Sequence, residues 1–108
     1  MVTETTLDVI DVSLFENVNS ADNYIPNFLR VMSSSMLAKT TGEWSDMMTA
    51  SNSGTYSSQW MVVDYNKFKE YKDTKNEVEG LFLVLEQVPG SIISHDVSSH
   101  IYKVLIIY

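Results

Sequence analysis

The residues with the greatest capacity for chemistry lie in one polar stretch, residues 52–65, which reads Asn-Ser-Gly-Thr-Tyr-Ser-Ser-Gln-Trp-Met-Val-Val-Asp-Tyr. The candidate substrate-binding residues are consecutive and carry hydroxyl, amide or indole groups: Thr55, Tyr56, Ser57, Ser58, Gln59 and Trp60. Polar side chains just before a buried strand are held rigidly at the sheet edge, and this arrangement suits a binding site. The residue types alone also fit a plain serine-rich turn that leads into a strand.

A second group with catalytic residue types is Ser94-His95-Asp96, with His100 nearby. A serine hydrolase triad needs these side chains on different elements, which adjacency in sequence rarely provides, and no Gly-x-Ser-x-Gly elbow is present. The spacing of the two histidines also fits neither a helical nor a strand pair of metal ligands. We therefore expect no catalytic triad, no metal site and no cofactor here.

Composition limits the remaining classes of function. The chain has 108 residues, of which 44% are apolar and 19% charged, so it is neither a disordered tail nor a coiled coil. Fourteen acidic against seven basic residues give a net charge of −7, which argues against a nucleic-acid partner. There are no cysteines, so the chain itself supplies no thiol nucleophile. The first residues lack the pattern of a signal peptide, and no apolar run approaches the ~20 residues that span a bilayer.

The pattern of apolar residues predicts the elements that must position the polar stretch. It predicts a strand in residues 2–10, a loop in 11–23, a helix in 26–38 and a helix in 43–50 capped by Thr41. Further along, it predicts the following in order: a buried strand at 60–63, a mixed-charge loop at 67–79, a strand covered on both faces at 80–88, a turn at 89–90, a strand at 91–94, and a helix or strand at 97–105. This order is typical of an α+β protein with a layered sheet.

Two features of these elements have alternative interpretations. Tryptophan and methionine side chains could line a lipid pocket, although their helical spacing is more typical of a core. The residues concerned are Trp44, Trp60, Met36, Met47, Met48 and Met61. Glu86 and Gln87 interrupt the apolar strand, and we expect both to face the turn that follows it.

The polar stretch resembles the signature of the phospholipase B-like family, also called lamina-ancestor-like, in which Asn-Ser-Gly-Thr-Tyr is followed by Asn-Asn-Gln-Trp-Met and an apolar pair, then Asp-Tyr. Downstream, residues 80–90 resemble the family's Leu-Glu-Gln-(Ile/Val)-Pro-Gly segment. Upstream, residues 4–6, 30–38 and 43–44 are similar to its Glu-Thr-Thr strand and paired helices. The resemblance covers roughly residues 2–103 in consistent order, which is a specific signal.

The resemblance implies a fold of the N-terminal nucleophile hydrolase type, an αββα sandwich, of which residues 1–108 would be a single partial domain. In such enzymes a cysteine freed by autoproteolysis attacks an acyl carbon, with its own amine as base. The implied substrates are acyl esters or amides of lipids, and the implied location is lysosomal or secreted. Thr55 to Trp60 would then line the substrate side, with Ser57 and Ser58 in place of the family's two asparagines. Glu4, Thr5 and Thr6 would have structural roles.

The chain also departs from the family pattern. It lacks the cysteine nucleophile, it is several times shorter, and residues 104–108 diverge. We therefore expect a truncated or divergent phospholipase B-like acyl hydrolase that acts only together with the remainder of the hydrolase domain. The alternative is a non-catalytic fragment or small interaction module derived from that family. In either case we expect exposed sheet edges.

Overall fold

The computed structural model of the chain describes residues 1–18 and 24–106. These residues form a mixed α+β structure with one four-stranded sheet and four α-helices, so the predicted α+β class is confirmed. The strands are β1 (Val2–Thr6), β2 (Ser58–Val63), β3 (Phe82–Val88) and β4 (Ser91–Asp96). The helices are α1 (Asn27–Leu37), α2 (Thr41–Thr49), α3 (Tyr65–Thr74) and α4 (Ser98–Ile106).

The sheet is antiparallel throughout, with the spatial order β1-β2-β3-β4. In its centre, Trp60 lies opposite Leu85 and Ser58 lies opposite Gln87. Strands β1 and β4 form the two edges of the described sheet, which agrees with the expected exposed edges. The β3–β4 turn at Pro89-Gly90 is as predicted, with Gly90 at a φ of 78°, a conformation that favours glycine.

The core lies between one face of the sheet and helices α1 and α2. Trp44 and Met48 of α2 pack against alternate residues of β2 and β3, which are Trp60, Val62, Leu83 and Leu85. The indole rings of Trp44 and Trp60 are 5.9 Å apart between centroids and tilted by 53°. We call this side of the sheet the helix face and the opposite side the outer face. The core interpretation is therefore confirmed for both tryptophans and for Met48, whereas Met36 is exposed.

Helices α1 and α2 begin close to their predicted positions. Pro26 immediately precedes α1, where its missing N–H costs nothing. The predicted cap of α2 is displaced by one residue, because the Thr40 hydroxyl accepts the hydrogen bond from Glu43 N and Thr41 is the first helical residue. Glu43 Oε2 accepts in return from Lys39 N, so the Thr40 and Glu43 side chains each satisfy a backbone N–H at the start of the helix.

The predicted loop at residues 67–79 is wrong, since α3 occupies most of it. The Asp64 carboxylate caps this helix by accepting from Asn66 N and Lys67 N. Lys67 and Glu70 form an ion pair at helical spacing, 3.2 Å apart. The mixed charge is therefore the solvated surface of a helix rather than a loop, and Lys75, at a φ of 58°, ends it.

Strand β3 is not deeply covered on both faces by the described residues. Leu83, Leu85 and Gln87 are buried on the helix face, whereas Phe82 and Val84 are only half-buried on the outer face. The expectation that Glu86 and Gln87 both face the turn is also wrong. Strand alternation sends the Gln87 side chain into the core and leaves Glu86 exposed.

The structure refines the predictions for residues 11–23 and 97–105. A 3₁₀ helix, Val12–Asn17, lies within the predicted loop at 11–23, and residues 19–23 of that prediction lie outside the described residues. Residues 97–105, predicted as helix or strand, lie mainly in α4. Tyr102 of α4 meets Tyr71 of α3 edge to face, with ring centroids 6.1 Å apart.

The molecule is flat and has a large surface for its mass. Its extents are 47 × 30 × 16 Å and its radius of gyration is 15.4 Å, against about 13 Å for a compact domain of this length. Its accessible surface is 7105 Å², whereas a typical 12.3 kDa monomer exposes about 6,100 Å². None of the helices in residues 1–18 and 24–106 has the length and apolar character needed to cross a bilayer.

Candidate functional site

The six predicted site residues straddle the junction between a loop and a strand. Residues 52–57, called the signature loop below, precede β2 and contain Thr55, Tyr56 and Ser57. The other three predicted residues, Ser58, Gln59 and Trp60, are the first residues of β2. Ser51 and Gly54, with φ values of 53° and 73°, shape the turn. Ser53 Oγ and Thr55 Oγ1 are 2.8 Å apart, and Thr55 N donates to Ser53 Oγ. The loop is therefore a built turn with internal hydrogen bonds.

The end of the signature loop forms one wall of a surface groove of about 350 Å³. The opposite wall comes from the chain that follows β1 and from the 3₁₀ helix. The lining residues are Thr6, Leu7, Asp8, Val9, Phe15, Thr55, Tyr56 and Ser57. A backbone hydrogen bond from Leu7 N to Ser57 O, 3.0 Å long, joins the two walls. The groove thus combines four hydroxyl groups and a carboxylate with an apolar surface.

Strand alternation separates the remaining three predicted residues from this groove. Ser58 and Trp60 point into the helix face, where Ser58 is fully buried and Trp60 is 8% exposed. Gln59 lies on the outer face and donates from Nε2 to Glu86 Oε1 at 2.6 Å. The structure therefore brings Thr55, Tyr56 and Ser57 together at one surface and places Ser58, Gln59 and Trp60 elsewhere.

A buried polar cluster that the sequence did not predict lies behind the signature loop. Arg30 of α1 is only 2% exposed, and burial lowers the pKa of its guanidinium. It donates to Asn27 Oδ1, Asn52 Oδ1 and the backbone oxygens of Ile25 and Met48. One signal for this cluster was present in the sequence: Arg30 is the one charged residue of α1, and the other large residues of that helix are apolar.

The second sequence cluster, Ser94-His95-Asp96, does not form a triad. Consecutive β4 residues alternate between faces, so the Ser94 and His95 side chains diverge. The Asp96 carboxylate accepts from Gly80 N and from Ser98 N and Oγ. Burial raises the pKa of Asp96, but these hydrogen bonds and the nearby charge of His95 outweigh it and leave the pKa lowered. Within the described ranges, no group of three or more His, Asp or Glu side chains could hold a metal ion.

A second cavity, of about 180 Å³, lies at the other end of β2 and includes none of the six predicted residues. Hydroxyl side chains of the α1–α2 junction, Ser34, Ser35, Thr40 and Thr41, line part of it, together with Trp44. Trp44 Nε1 donates to Ser35 Oγ at 3.2 Å, so the Ser35 hydroxyl already pairs with a side chain of the hydrophobic core. The groove beside Tyr56 is therefore the better candidate for substrate contact.

Comparison with known families assigns the chain. The sequence model of the family described as Phospholipase B matches residues 1–104. The chain belongs to the phospholipase B family, as the two sequence motifs indicated.

Individual relatives agree with this assignment. A protein of Caenorhabditis elegans that carries the phospholipase B-like 2 name is 41% identical over 102 residues, which is 94% of this chain and 17% of the relative. Phospholipase B-like protein F of Dictyostelium discoideum is 36% identical, covering 91% of this chain and 16% of its own length. A phospholipase B-like 2 protein of Rattus norvegicus is 30% identical over 93% of this chain and 17% of its own. The chain therefore spans about one sixth of the length of these relatives.

Proposed function

We propose that this chain forms part of the substrate-binding wall of a phospholipase B-like acyl hydrolase that cleaves esters or amides of lipids. The groove beside the signature loop supports the proposal, because it places hydroxyl groups next to an apolar surface. Thr55 and Ser57 can donate hydrogen bonds to an acyl carbonyl. Leu7, Val9 and Phe15 can cover an acyl chain, and Phe15 is 47% exposed.

Catalysis in this proposal needs a nucleophile that the 108 residues do not contain. The sequence has no cysteine, and a cysteine from a longer phospholipase B-like polypeptide would attack the acyl carbon. Ser57, half-exposed at the groove, would hold the carbonyl oxygen as negative charge develops on it. Gln59 and Trp60 would support the start of β2, through the hydrogen bond to Glu86 and through packing in the core, and Ser58 would contribute only its backbone.

The finer fold and the partner are part of the same proposal. The half-buried apolar residues of the outer face, which include Met61, Val84 and Phe82, would pack on the second sheet of an αββα sandwich supplied by the remainder of the hydrolase domain. The accessible surface of 7105 Å² is large for a 12.3 kDa chain, as expected for a part that packs against the rest of a larger domain. A lysosomal or secreted location also belongs to the proposal and rests on the family likeness.

Ligand binding and turnover by the full chain test the proposal together. The probe is a short-chain lysophosphatidylcholine kept below its critical micelle concentration. We expect saturable binding but no release of fatty acid. Replacing Tyr56 by Ala, which removes a groove wall, should weaken binding about threefold to tenfold, in line with the loss of one aromatic contact.

Tyr65→Ala is the matched control. Tyr65 is also exposed, but it lies at the opposite end of β2, away from the groove. Equal weakening by both variants, or an absence of saturable binding, contradicts the proposed groove. Fatty acid release that purifies with the chain would show that it carries its own nucleophile.

A non-catalytic interaction module is the second candidate, and one surface favours it. Phe28, Leu29, Met32 and Met36 form an apolar stripe along α1, and each is at least 43% exposed. A contiguous apolar surface of this kind is typical of a protein contact. If the chain binds no lysolipid but a phospholipase B-like protein protects this stripe from solvent, the interaction role replaces the groove proposal.

A further inference from the structure

The buried cluster around Arg30 bonds to the start of the signature loop and extends to β3, beside the first residue of β2. At the start of the loop, Asn52 Oδ1 accepts from Arg30 Nη2 at 3.0 Å and from Gly54 N at 3.2 Å. At the end of the loop, Ser58 lies directly opposite Gln87, whose Nε2 donates to Asn27 Oδ1 at 3.2 Å. Asn27 Oδ1 also accepts from Arg30 Nη2 at 3.1 Å, which closes the connection.

We infer that Arg30 is the positioning residue of the candidate site, acting through Asn52 and Asn27 to hold the signature loop in its groove-forming shape. The role of the groove itself rests on the proposed function, whereas the effect of Arg30 on the loop does not. The network joins α1, the loop and β3, three segments that are distant in sequence. It leaves Thr55, Tyr56 and Ser57 as the part of the loop that faces the groove.

The choice of arginine follows from the geometry of the cluster. The guanidinium is a planar fork with five N–H donors, and here it serves four oxygens that lie in different directions. These four acceptors are neutral amide or peptide oxygens. Burial of the charged guanidinium is offset by these hydrogen bonds, and each one ties it to a different part of the fold. A lysine can keep the charge but cannot reach all four oxygens in this arrangement.

Backbone contacts bring the beginning of α1 to the same place. Ile25 N donates to Ser51 O at 2.9 Å, and Ile25 O accepts from Arg30 Nε at 3.2 Å. Arg30 Nη1 reaches Met48 O near the end of α2. The Arg30 side chain therefore holds three segments together: the residues before α1, the end of α2 and the start of the signature loop.

Amide hydrogen exchange on the full chain tests this inference. In Asn52→Ala, exchange at residues 54–57 should accelerate about fivefold to tenfold, the effect expected for losing one or two hydrogen bonds. Exchange at Trp60 and Leu85 in the sheet centre should stay unchanged. Asn52→Asp keeps an acceptor oxygen for Arg30 and Gly54 and should restore the protection. Arg30→Lys should loosen the same residues as Asn52→Ala.

Asn76→Ala, in the exposed segment after α3, is the matched control and should leave the loop protected. The inference is overturned if Asn52→Ala leaves residues 54–57 unchanged, or if exchange accelerates equally at Trp60 and Leu85. Lysophosphatidylcholine affinity is measured on the same samples. If the unmodified chain does not bind but the loop loosens as described, the proposed function fails and the positioning role stands.

Discussion

Ser58 and Gln87 lie directly opposite each other on β2 and β3, and both side chains are fully buried on the helix face. Among the described residues, neither Ser58 Oγ nor Gln87 Oε1 has a hydrogen-bond partner. A buried polar atom without a partner costs free energy that most protein interiors avoid. The pair therefore marks an unfavourable spot at the start of the strand that follows the candidate site.

Replacing Ser58 by Ala should leave the free energy of unfolding unchanged or raise it by up to about 1 kcal/mol. The substitution removes an unpaired buried hydroxyl and changes the volume little. Urea denaturation of the full chain measures the effect.

Ser98→Ala is the matched control, because Ser98 is also buried but its hydroxyl accepts from Phe82 N. That variant should lose about 1–2 kcal/mol, since it leaves a backbone N–H without its partner. A loss at Ser58 as large as the loss at Ser98 would mean that the Ser58 hydroxyl is satisfied.

Replacing Asn27 by Asp should stabilise the chain by about 1 kcal/mol at pH 7. The new carboxylate would lie beside Arg30 in the first turn of α1, which contains no acidic residue. The positive charge of Arg30 and the dipole at the N-terminus of α1 both favour the charged form of this carboxylate, so its pKa in the folded state is lowered. The gain should therefore be present above about pH 4, the unfolded pKa of Asp, and disappear as the pH falls further.

Asn66→Asp separates the two causes, since Asn66 lies in the first turn of α3 without an arginine contact. It should gain less than about 0.5 kcal/mol, because the nearby carboxylates of Asp64 and Glu70 oppose the favourable effect of the helix dipole. Equal gains in the two variants would argue that Arg30 contributes nothing to the effect. Thermal melts at pH 7 and pH 3 supply the comparison.

Replacing Asp96 by Asn should destabilise the chain by about 1–2 kcal/mol at pH 7 because it weakens the hydrogen bonds from Gly80 and Ser98. The folded pKa of Asp96 is below its usual 3.8, so its contribution is fully present above that pH. It is lost as the pH falls through the folded pKa. The difference between Asp96→Asn and the unmodified chain should therefore shrink in acid.

Asp73→Asn removes one exposed charge from α3 and should change the unfolding free energy by less than about 0.5 kcal/mol. A difference between the Asp96 variant and the unmodified chain that stays constant from pH 7 down to pH 2 would contradict the role given to the Asp96 carboxylate. Chemical denaturation across this pH range is the measurement.

Replacing Met36 by Gln should weaken any contact made through the apolar stripe of α1, self-association included, while changing stability by less than about 0.5 kcal/mol, because this side chain is 79% exposed. Sedimentation velocity of the two proteins at the same concentration shows the effect. Met48→Ala, at a fully buried core position, should instead cost about 2–5 kcal/mol. Unchanged association in Met36→Gln would mean that the apolar stripe of α1 is not the contact surface.

The sequence predicted elements whose apolar residues recur with a clear period. Helix α1 follows from such spacing, strand β2 follows from the continuous apolar run at 60–63, and the turn before β4 follows from Pro89-Gly90. Helix α3 was missed because its few apolar residues, such as Phe68 and Tyr71, lie among many charges. The Asp64 carboxylate, which caps the helix, was the local signal that could have identified it.

The candidate site was predictable only in part. The polar stretch pointed to residues 55–60, of which 55–57 line the groove, and the period of two in a strand could have separated Ser58 and Trp60 from Gln59. The Arg30 cluster was not predictable, because it joins residues from α1, the signature loop and β3. Asn27 and Gln87, which share a hydrogen bond, are 60 positions apart in the chain.

Mapping a bound lysophosphatidylcholine on the full chain by NMR tests the central claim most directly. The account predicts that amide shifts change at Leu7, Phe15, Tyr56 and Ser57, around the groove, and stay constant at Tyr65 and across α3. Shifts confined to the apolar stripe of α1, or absent at saturating ligand, would contradict the assignment of the groove as the acyl-binding wall.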